Sequence, residues 1–262
     1  MSKTVTMITG AASGIGKGIA LKFASEGSEL ILIDLQKERL NELNNELQEM
    51  YPNLSILLAA GDLTSESFVQ EVVDKSKEQF GHINVLVNCA GIFPSTPFLQ
   101  ISRQEWNKVF DLNVSSVFFL TQKVSQLMID SNTKNANIVN ISSTASEVAR
   151  PGVAHYCSSK AAVKMLTQVL ALELAPSGIR VNAVGPGLVE TETLLKTLTN
   201  EKAIKEHQEK ISYSPLNRTA KIEEIADAVY FISSPKATYI TGQNLLVDGG
   251  YSAGRVFKSL NN

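Results

Sequence analysis

The sequence predicts an α/β fold in which one doubly wound parallel sheet of about seven strands is covered by helices on both faces. Short apolar runs rich in β-branched residues alternate with amphipathic helical patterns along the chain. The apolar runs are continuous, as expected for strands that are buried on both faces. No linker, charge block or internal repeat interrupts the alternation, which favours a single domain over residues 1–262.

The elements follow from periodicity and from the residues that bound each run. The predicted strands are residues 4–9, 30–34, 54–60, 85–88, 136–142, 180–184 and 244–247. The predicted helices are residues 14–26, 37–50, 65–80, 103–129, 155–175 and 222–233. Residues 189–214 are polar and helix-prone without a strand to pair with, so we expect them to form a lid over a substrate.

Composition excludes several classes of protein. The chain has 24 basic and 26 acidic residues and is 44% hydrophobic, which excludes a disordered chain and gives no general attraction to nucleic acid or to a membrane surface. Two cysteines and three scattered histidines have no metal-ligand spacing, so we expect no metal. The N-terminus has no signal-peptide pattern and no apolar run approaches a membrane span, so we expect a cytoplasmic protein.

A glycine-rich turn joins the first strand to the first helix. Gly10, Gly14 and Gly16 allow a tight turn, a close approach of backbone to phosphate and close packing of helix on strand. The helix N-terminus that follows presents free N–H groups to a pyrophosphate. The spacing differs from the usual Gly-x-Gly-x-x-Gly, but its position between strand and helix indicates a Rossmann-like dinucleotide site.

Asp34 ends the second strand about 20 residues after the turn, where the dinucleotide fingerprint has an acid. Its carboxylate can accept hydrogen bonds from the ribose hydroxyls and would repel a 2′-phosphate. Ser13 and Leu35, where a basic residue could hold that phosphate, are uncharged. We therefore predict NAD(H) as the cofactor. A role for Asp34 as a helix cap is compatible with this, and the basic residues that argue for NADP(H) are Lys17, Lys37 and Arg39.

Tyr156 and Lys160 are separated by four positions, so on a helix they share one face. A neighbouring ammonium and a bound cationic nicotinamide would both lower the pKa of the phenol, which is about 10 in isolation. The pair is therefore suited to moving a proton on or off an alcohol oxygen.

With these motifs the chain resembles the short-chain dehydrogenase/reductase family, in its NAD-preferring form, from about residue 3 to residue 250. The residues that carry the resemblance are the turn 9–16, Asp62 with Leu63, the Asn-x-Ala-Gly motif of Asn88, Ala90 and Gly91, the pair Pro186-Gly187, and the catalytic set. The resemblance implies that the cofactor contacts Gly10, Ser13, Gly14, Ile15, Gly16, Asp34, Leu35, Asp62, Leu63, Asn88, Ala90, Gly91, Tyr156, Lys160, Pro186, Gly187, Val189 and Thr191.

The resemblance also implies the catalytic residues Asn113, Ser142, Tyr156 and Lys160. Ser142 is chosen over Ser143 by its spacing to the tyrosine, and we expect it to hold the substrate oxygen. Asn113 would anchor a water in a proton relay to Lys160, or be a buried Asn satisfied by backbone. The predicted substrate contacts are Ser142, Thr144 and Tyr156.

These residues predict an oxidoreductase that moves a hydride between NAD(H) and a secondary alcohol or ketone, with a polyol, sugar or small hydroxy-ketone favoured. The alternatives are a 3-oxoacyl reductase acting on acyl carrier protein or CoA thioesters, and a non-catalytic NAD-binding sensor or scaffold. The apolar helices over residues 103–129 and 155–175 predict a homo-oligomer, a tetramer in preference to a dimer. The sequence does not decide the role of the tail, residues 251–262.

Overall fold

The sheet has seven parallel strands in the order β3-β2-β1-β4-β5-β6-β7. It is seen in a computed structural model that describes residues 3–196 and 198–254. The strands are β1 (Val5–Thr9), β2 (Glu29–Asp34), β3 (Ile56–Ala60), β4 (Val85–Asn88), β5 (Asn137–Ile141), β6 (Arg180–Pro186) and β7 (Asn244–Val247). The predicted doubly wound α/β fold is therefore confirmed.

The helices cover both faces of this sheet. They are α1 (Gly14–Ser25), α2 (Lys37–Met50), α3 (Glu66–Phe80), α4 (Arg103–Phe110), α5 (Ser116–Asp130), α6 (Ala154–Leu174), α7 (Glu192–Leu195), α8 (Glu201–Ser212) and α9 (Ile222–Ser233). The single helix predicted over residues 103–129 is wrong in its interior. A π-helical turn, Asp111–Ser115, separates α4 from α5, and it directs the Asn113 side chain at the backbone that follows β4.

Alternation along β1 divides the core into two layers, because successive strand residues point to opposite faces. Ile8 packs in the layer that includes α1, α2 and α9. Its neighbour Met7 packs in the layer that includes α3, α5 and α6. Both side chains are fully buried, and each contributes roughly 1.5–3 kcal/mol relative to an exposed side chain.

The chain reverses the direction of winding at β1, which pairs with β2 on one side and with β4 on the other. The Thr9 hydroxyl accepts hydrogen bonds from the backbone N–H groups of Cys89 and Ala90, at 2.9 and 3.0 Å. Gly10 follows at φ +66°, and a Cβ there would lie 2.9 Å from the Ala90 Cα. The two strand ends are therefore held together at the point where ligands of such sheets bind.

Residues 189–214 form α7 and α8 rather than a strand of the sheet. Val189 pairs with Ala220 in an isolated bridge, and the role of this segment as a lid stays a prediction. The predicted C-terminal tail lies outside the described residues beyond residue 254. Within the described ranges, every helix is too short or too polar to cross a bilayer.

Thr9→Val should lower the free energy of unfolding by about 2 kcal/mol, because two backbone N–H groups lose their acceptor. Thr6→Val is the matched control in the same strand. Thr6 is fully buried, and its hydroxyl has no hydrogen-bond partner among the described residues, so removing that hydroxyl should be neutral or stabilising. Urea unfolding measures both, and equal losses in the two variants would contradict the role given to Thr9.

Candidate active site

A cavity of about 1320 Å³ runs along the carboxyl ends of the strands. This exceeds the 300–1,000 Å³ typical of a pocket for one small ligand, so it has room for a dinucleotide beside a substrate. Its walls include the following predicted cofactor residues: Gly10, Ser13, Gly14, Ile15, Gly16, Asp34, Leu35, Asp62, Leu63, Ala90, Gly91, Tyr156, Lys160, Pro186, Gly187, Val189 and Thr191. The structure therefore brings the turn and the Tyr-Lys pair to one cavity.

The glycine turn is shaped for a phosphate. Helix α1 begins at Gly14, and its N-cap Ser13 makes no side-chain capping bond, so the first N–H groups of the helix lack a side-chain acceptor. A Cβ on Gly16 would overlap the carbonyl oxygen of Gly10, so only glycine fits there. The turn thus presents backbone donors at a place where side chains are sterically excluded.

Asp34 holds this turn in place as well as lining the cavity. One carboxylate oxygen accepts from the Ala12 N–H at 3.0 Å and the other from the Gln36 N–H at 2.9 Å. Each oxygen keeps a further acceptor position. Both predicted roles, a cap for the local backbone and a ribose acceptor, are therefore compatible with the geometry.

Two of the three basic residues that argue for NADP(H) are paired with carboxylates. Lys17 Nζ lies 2.6 Å from Glu46, and Arg39 lies 3.7 Å from Glu192 at the start of α7. These side chains are partly exposed, so the pairs are weak individually. They nevertheless place a negative partner beside two of the three cations that could hold a 2′-phosphate; the third, Lys37, is exposed and has no ion pair among the described residues.

Asn88 does not line the cavity, unlike the other predicted cofactor residues. It is 3% exposed, and its amide donates to Thr121 and Asn140 at 3.0 and 2.8 Å, so it joins β4 to β5 and α5. Cys89 lines the cavity in its place. Burial raises the pKa of its thiol to about 12, which keeps the sulfur protonated and a poor nucleophile at neutral pH.

Lys160 is buried beside Tyr156 on α6. Its ammonium donates to the Ile141 carbonyl at 2.7 Å and lies 5.8 Å from the centre of the Tyr156 ring. Burial lowers the pKa of Lys160 to about 8, because the charged form loses its hydration. The side chain is therefore close to balance between its charged and neutral forms near neutral pH.

The pKa of Tyr156 departs from expectation. Burial raises it, while a hydrogen bond to Ser143 and the positive charge of Arg150 act in the opposite direction. We expected Lys160 to lower this pKa. Its ammonium is instead directed at a backbone carbonyl, so in the protein alone the burial of the phenol has the larger effect.

Ser142 is not the serine that contacts Tyr156. Its hydroxyl donates to the Asn244 side chain in β7 at 2.6 Å and passes directly over Gly185 in β6. The side chain of Ser143, whose backbone is extended, instead acts on the Tyr156 phenol and opposes the rise of its pKa. Neighbouring residues of an extended chain point to opposite sides, so a choice wrong by one residue sends the hydroxyl away from the phenol.

Thr144, a predicted substrate contact, is not part of the cavity wall. It begins a 3₁₀ turn, Thr144–Ser146, in which its carbonyl accepts from the Glu147 and Val148 N–H groups. The turn carries the chain away from the sheet edge. The prediction that Thr144 contacts the substrate is therefore not supported by its position.

Asn113 is fully buried in the π-helical turn, and its side chain is fully engaged. Its Oδ1 accepts from the Ile92 N–H, and its Nδ2 donates to the Ile92 carbonyl and to Ser159, at 2.9, 2.9 and 3.2 Å. It borders Gly91, which lies between it and Lys160. The structure thus gives Asn113 a positioning role, and the proton relay to Lys160 stays a prediction.

The Glu105 carboxylate contacts both of the loops beside Tyr156. The sequence did not predict this role. The carboxylate accepts from Thr96 at 2.6 Å and lies 3.0 Å from the Nε2 of the buried His155. Thr96 also donates its backbone N–H to the Gly152 carbonyl at 2.8 Å. A charged residue at the start of an exposed helix gave no sequence signal for this contact, because its partners are distant in the chain.

Comparisons with known proteins agree with this geometry. A family model described as enoyl-(acyl carrier protein) reductase matches residues 10–252. A 3-oxoacyl-[acyl-carrier-protein] reductase of Thermotoga maritima is 38% identical, covering 94% of this chain and 96% of that protein. A solved short-chain type dehydrogenase/reductase from Mycobacterium marinum has a TM-score of 0.88 at 30% identity and 97% coverage of both chains.

The chain belongs to the short-chain dehydrogenase/reductase family. It is also 34% identical to an NAD-dependent glycerol dehydrogenase of Listeria innocua, covering 95% of this chain and 93% of that protein. The family is one of oxidoreductases that bind a nicotinamide cofactor. Named relatives therefore include both a 3-oxoacyl-[acyl-carrier-protein] reductase and a glycerol dehydrogenase.

Proposed function

We propose that this short-chain dehydrogenase/reductase is an NAD(H)-dependent enzyme that interconverts a secondary alcohol and its ketone. The observation that carries the proposal is the group of Tyr156, Ser143 and Lys160 beside one cavity with the glycine turn. The uncapped N-terminus of α1 and the glycine cradle fit a pyrophosphate. NAD⁺, when bound, supplies the acceptor for the hydride from the carbinol carbon.

Tyr156 exchanges the proton of the alcohol. In the oxidative direction its phenolate takes the hydroxyl proton as the carbon–oxygen double bond forms, and in reduction the phenol returns it. The Ser143 hydroxyl, already directed at Tyr156, can donate to the substrate oxygen. Lys160, with a pKa of about 8, can favour the phenolate by its charge and can pass a proton onward.

Two observations support NAD(H) over NADP(H). Asp34 lies in the cavity wall with acceptor positions free for ribose hydroxyls, and its charge opposes a 2′-phosphate. Lys17 and Arg39 are already paired with carboxylates. The glycerol dehydrogenase of Listeria innocua, whose name specifies NAD, is consistent with this assignment.

A polyol, sugar or small hydroxy-ketone is the substrate class we favour, and the glycerol dehydrogenase relative supports it. The alternative is a 3-oxoacyl reductase, which the relative from Thermotoga maritima favours. The neutral Ser13 in the glycine turn and the near-neutral net charge count against it. A sensor without catalysis is disfavoured because the predicted proton-transfer residues are all present.

We also propose a homo-oligomer, a tetramer in preference to a dimer, acting on a small molecule in the cytoplasm without nucleic acid or membrane partners. The outward faces of α5 and α6 support the oligomer. Phe119, Met165 and Leu172 are 54%, 59% and 79% exposed there, which is unusual for large apolar side chains on one surface.

The decisive test of the reaction is NADH formation from NAD⁺ across a panel of polyols, sugars, hydroxy acids and 3-hydroxyacyl thioesters, repeated with NADP⁺. We expect turnover of a secondary alcohol with kcat/KM about 10- to 100-fold higher for NAD⁺, as one or two charge-assisted hydrogen bonds to Asp34 would give. Asp34→Asn keeps one acceptor oxygen and removes the negative charge, so it should reduce the preference for NAD⁺ over NADP⁺ in kcat/KM by about tenfold. A higher kcat/KM with NADP⁺ would contradict the assignment, and tight NAD⁺ binding with no turnover would support the sensor.

Replacement of the two adjacent serines separates their roles. Ser143→Ala should lower kcat by about 10²–10³-fold, as removal of one donor to a reacting oxygen commonly does. Ser142→Ala should stay within about tenfold, because its hydroxyl faces Asn244. Steady-state kinetics on the best substrate of the panel measures both variants. A larger loss of kcat in Ser142→Ala than in Ser143→Ala would contradict the role given to Ser143.

A further inference from the structure

The Arg150 guanidinium and the Tyr156 ring both contact the ring of Phe93, which lies between them. The Phe93 ring packs against the Tyr156 ring in an edge-to-face contact, with centroids 4.5 Å apart and planes at 80°. The Arg150 guanidinium lies over the same Phe93 ring, 5.2 Å from its centroid. Phe93 and Tyr156 both line the cavity, and Phe93 is 48% exposed. The three groups therefore lie in a row that begins at the reacting phenol: Tyr156 and Phe93 are in the cavity wall, and Arg150, which is not, adjoins it through the Phe93 ring.

Arg150 has no salt bridge or side-chain hydrogen bond among the described residues; its guanidinium contacts the Phe93 ring, and its charge acts on the Tyr156 phenol. The acidic side chains of the neighbouring segments have other partners. Glu147 binds Lys164 and Asn244 at 2.7 and 3.0 Å. Glu105 is held between Thr96 and His155. A guanidinium stacked on a ring keeps its N–H donors in its own plane, where a carboxylate can accept two of them.

The loop that carries Arg150 is held in position. Pro151 restricts the backbone of the residue before it, and Gly152 turns the chain at φ +78°. The Gly152 carbonyl accepts the Thr96 N–H at 2.8 Å, which joins this loop to the loop of Phe93. The backbones that carry Phe93 and Arg150 are thus joined to each other, which limits how far the two side chains can separate and lowers the entropic cost of binding an anion there.

We propose that Arg150 binds a carboxylate of the substrate, so that the alcohol or ketone converted at Tyr156 is a hydroxy acid or an oxo acid. The inference rests on the proposed interconversion of a secondary alcohol and its ketone, and it adds a carboxylate to the polyol, sugar or hydroxy-ketone favoured above. The carbinol oxygen lies at Tyr156 and Ser143, the intervening carbons lie against Phe93, and the carboxylate lies against Arg150. Neutral polyols lack the group that this arrangement would bind most strongly.

The kinetic test compares 3-hydroxybutanoate with its methyl ester, which has the same carbinol without the charge. For the wild-type enzyme with NAD⁺ we expect kcat/KM at least tenfold higher for the acid. Arg150→Gln should lose at least tenfold more on the acid than on the ester, where a smaller loss reflects only the missing positive charge near the Tyr156 phenol, and Arg150→Lys should lie between. Lys236→Gln, which removes the same charge far from the cavity, is the control and should leave both values unchanged. Equal losses on acid and ester, or a wild-type preference for the ester, would overturn the proposal.

A binding measurement separates this proposal from the reaction itself. Benzoate and its neutral isostere benzamide are titrated by calorimetry into the NADH-loaded protein. Tighter binding of benzoate, lost in Arg150→Gln and kept in Lys236→Gln, supports the anion site whether or not any panel substrate turns over. Turnover of neutral alcohols combined with no preference for benzoate would leave the proposed reaction standing and reject the carboxylate site.

Discussion

The site depends on the hydroxyl of Thr9, which joins the ends of β1 and β4 where the sheet reverses its winding. That pair of hydrogen bonds brings the glycine turn after β1 against the Ala90-Gly91 backbone after β4, with contacts so close that Gly10 cannot carry a Cβ. The cofactor cavity lies along the resulting edge. The backbone at the switch point, rather than any single binding side chain, sets where the cofactor and the reacting groups can meet.

Burial sets the pKa values of the two groups that exchange protons, Lys160 and Tyr156. Lys160 and Tyr156 lose hydration, so burial lowers the pKa of the ammonium and raises that of the phenol. Both are therefore biased towards their neutral forms until charge arrives in the cavity. Arg150 and the Ser143 hydroxyl oppose the rise for the phenol. A positively charged nicotinamide would act in the same direction, which makes proton transfer responsive to cofactor binding.

Periodicity predicted the sheet and most of its helices, because those features depend on local patterns that the sequence displays directly, and the motifs with the family resemblance predicted most of the cavity wall. The failures share one physical cause. The π-helical turn at Asn113, the direction of Asn88 away from the cavity and into the core, and the choice between Ser142 and Ser143 each depend on which side of the backbone a polar group faces. A shift of one residue reverses that direction without changing the sequence pattern. The contacts of Glu105 with His155 and of Arg150 with Phe93 arise from packing between loops that are distant in the sequence, so no local pattern reports them.

The central claim is that Tyr156 exchanges the substrate proton and contributes little to cofactor affinity. Tyr156→Phe tests it directly, since the change removes one oxygen and keeps the ring that packs against Phe93. NADH binding followed by fluorescence should give a Kd within about threefold of the wild type, while NADH formation should fall by about 10³-fold or more. Turnover within tenfold of the wild type, with the variant folded and NADH bound, would contradict the account.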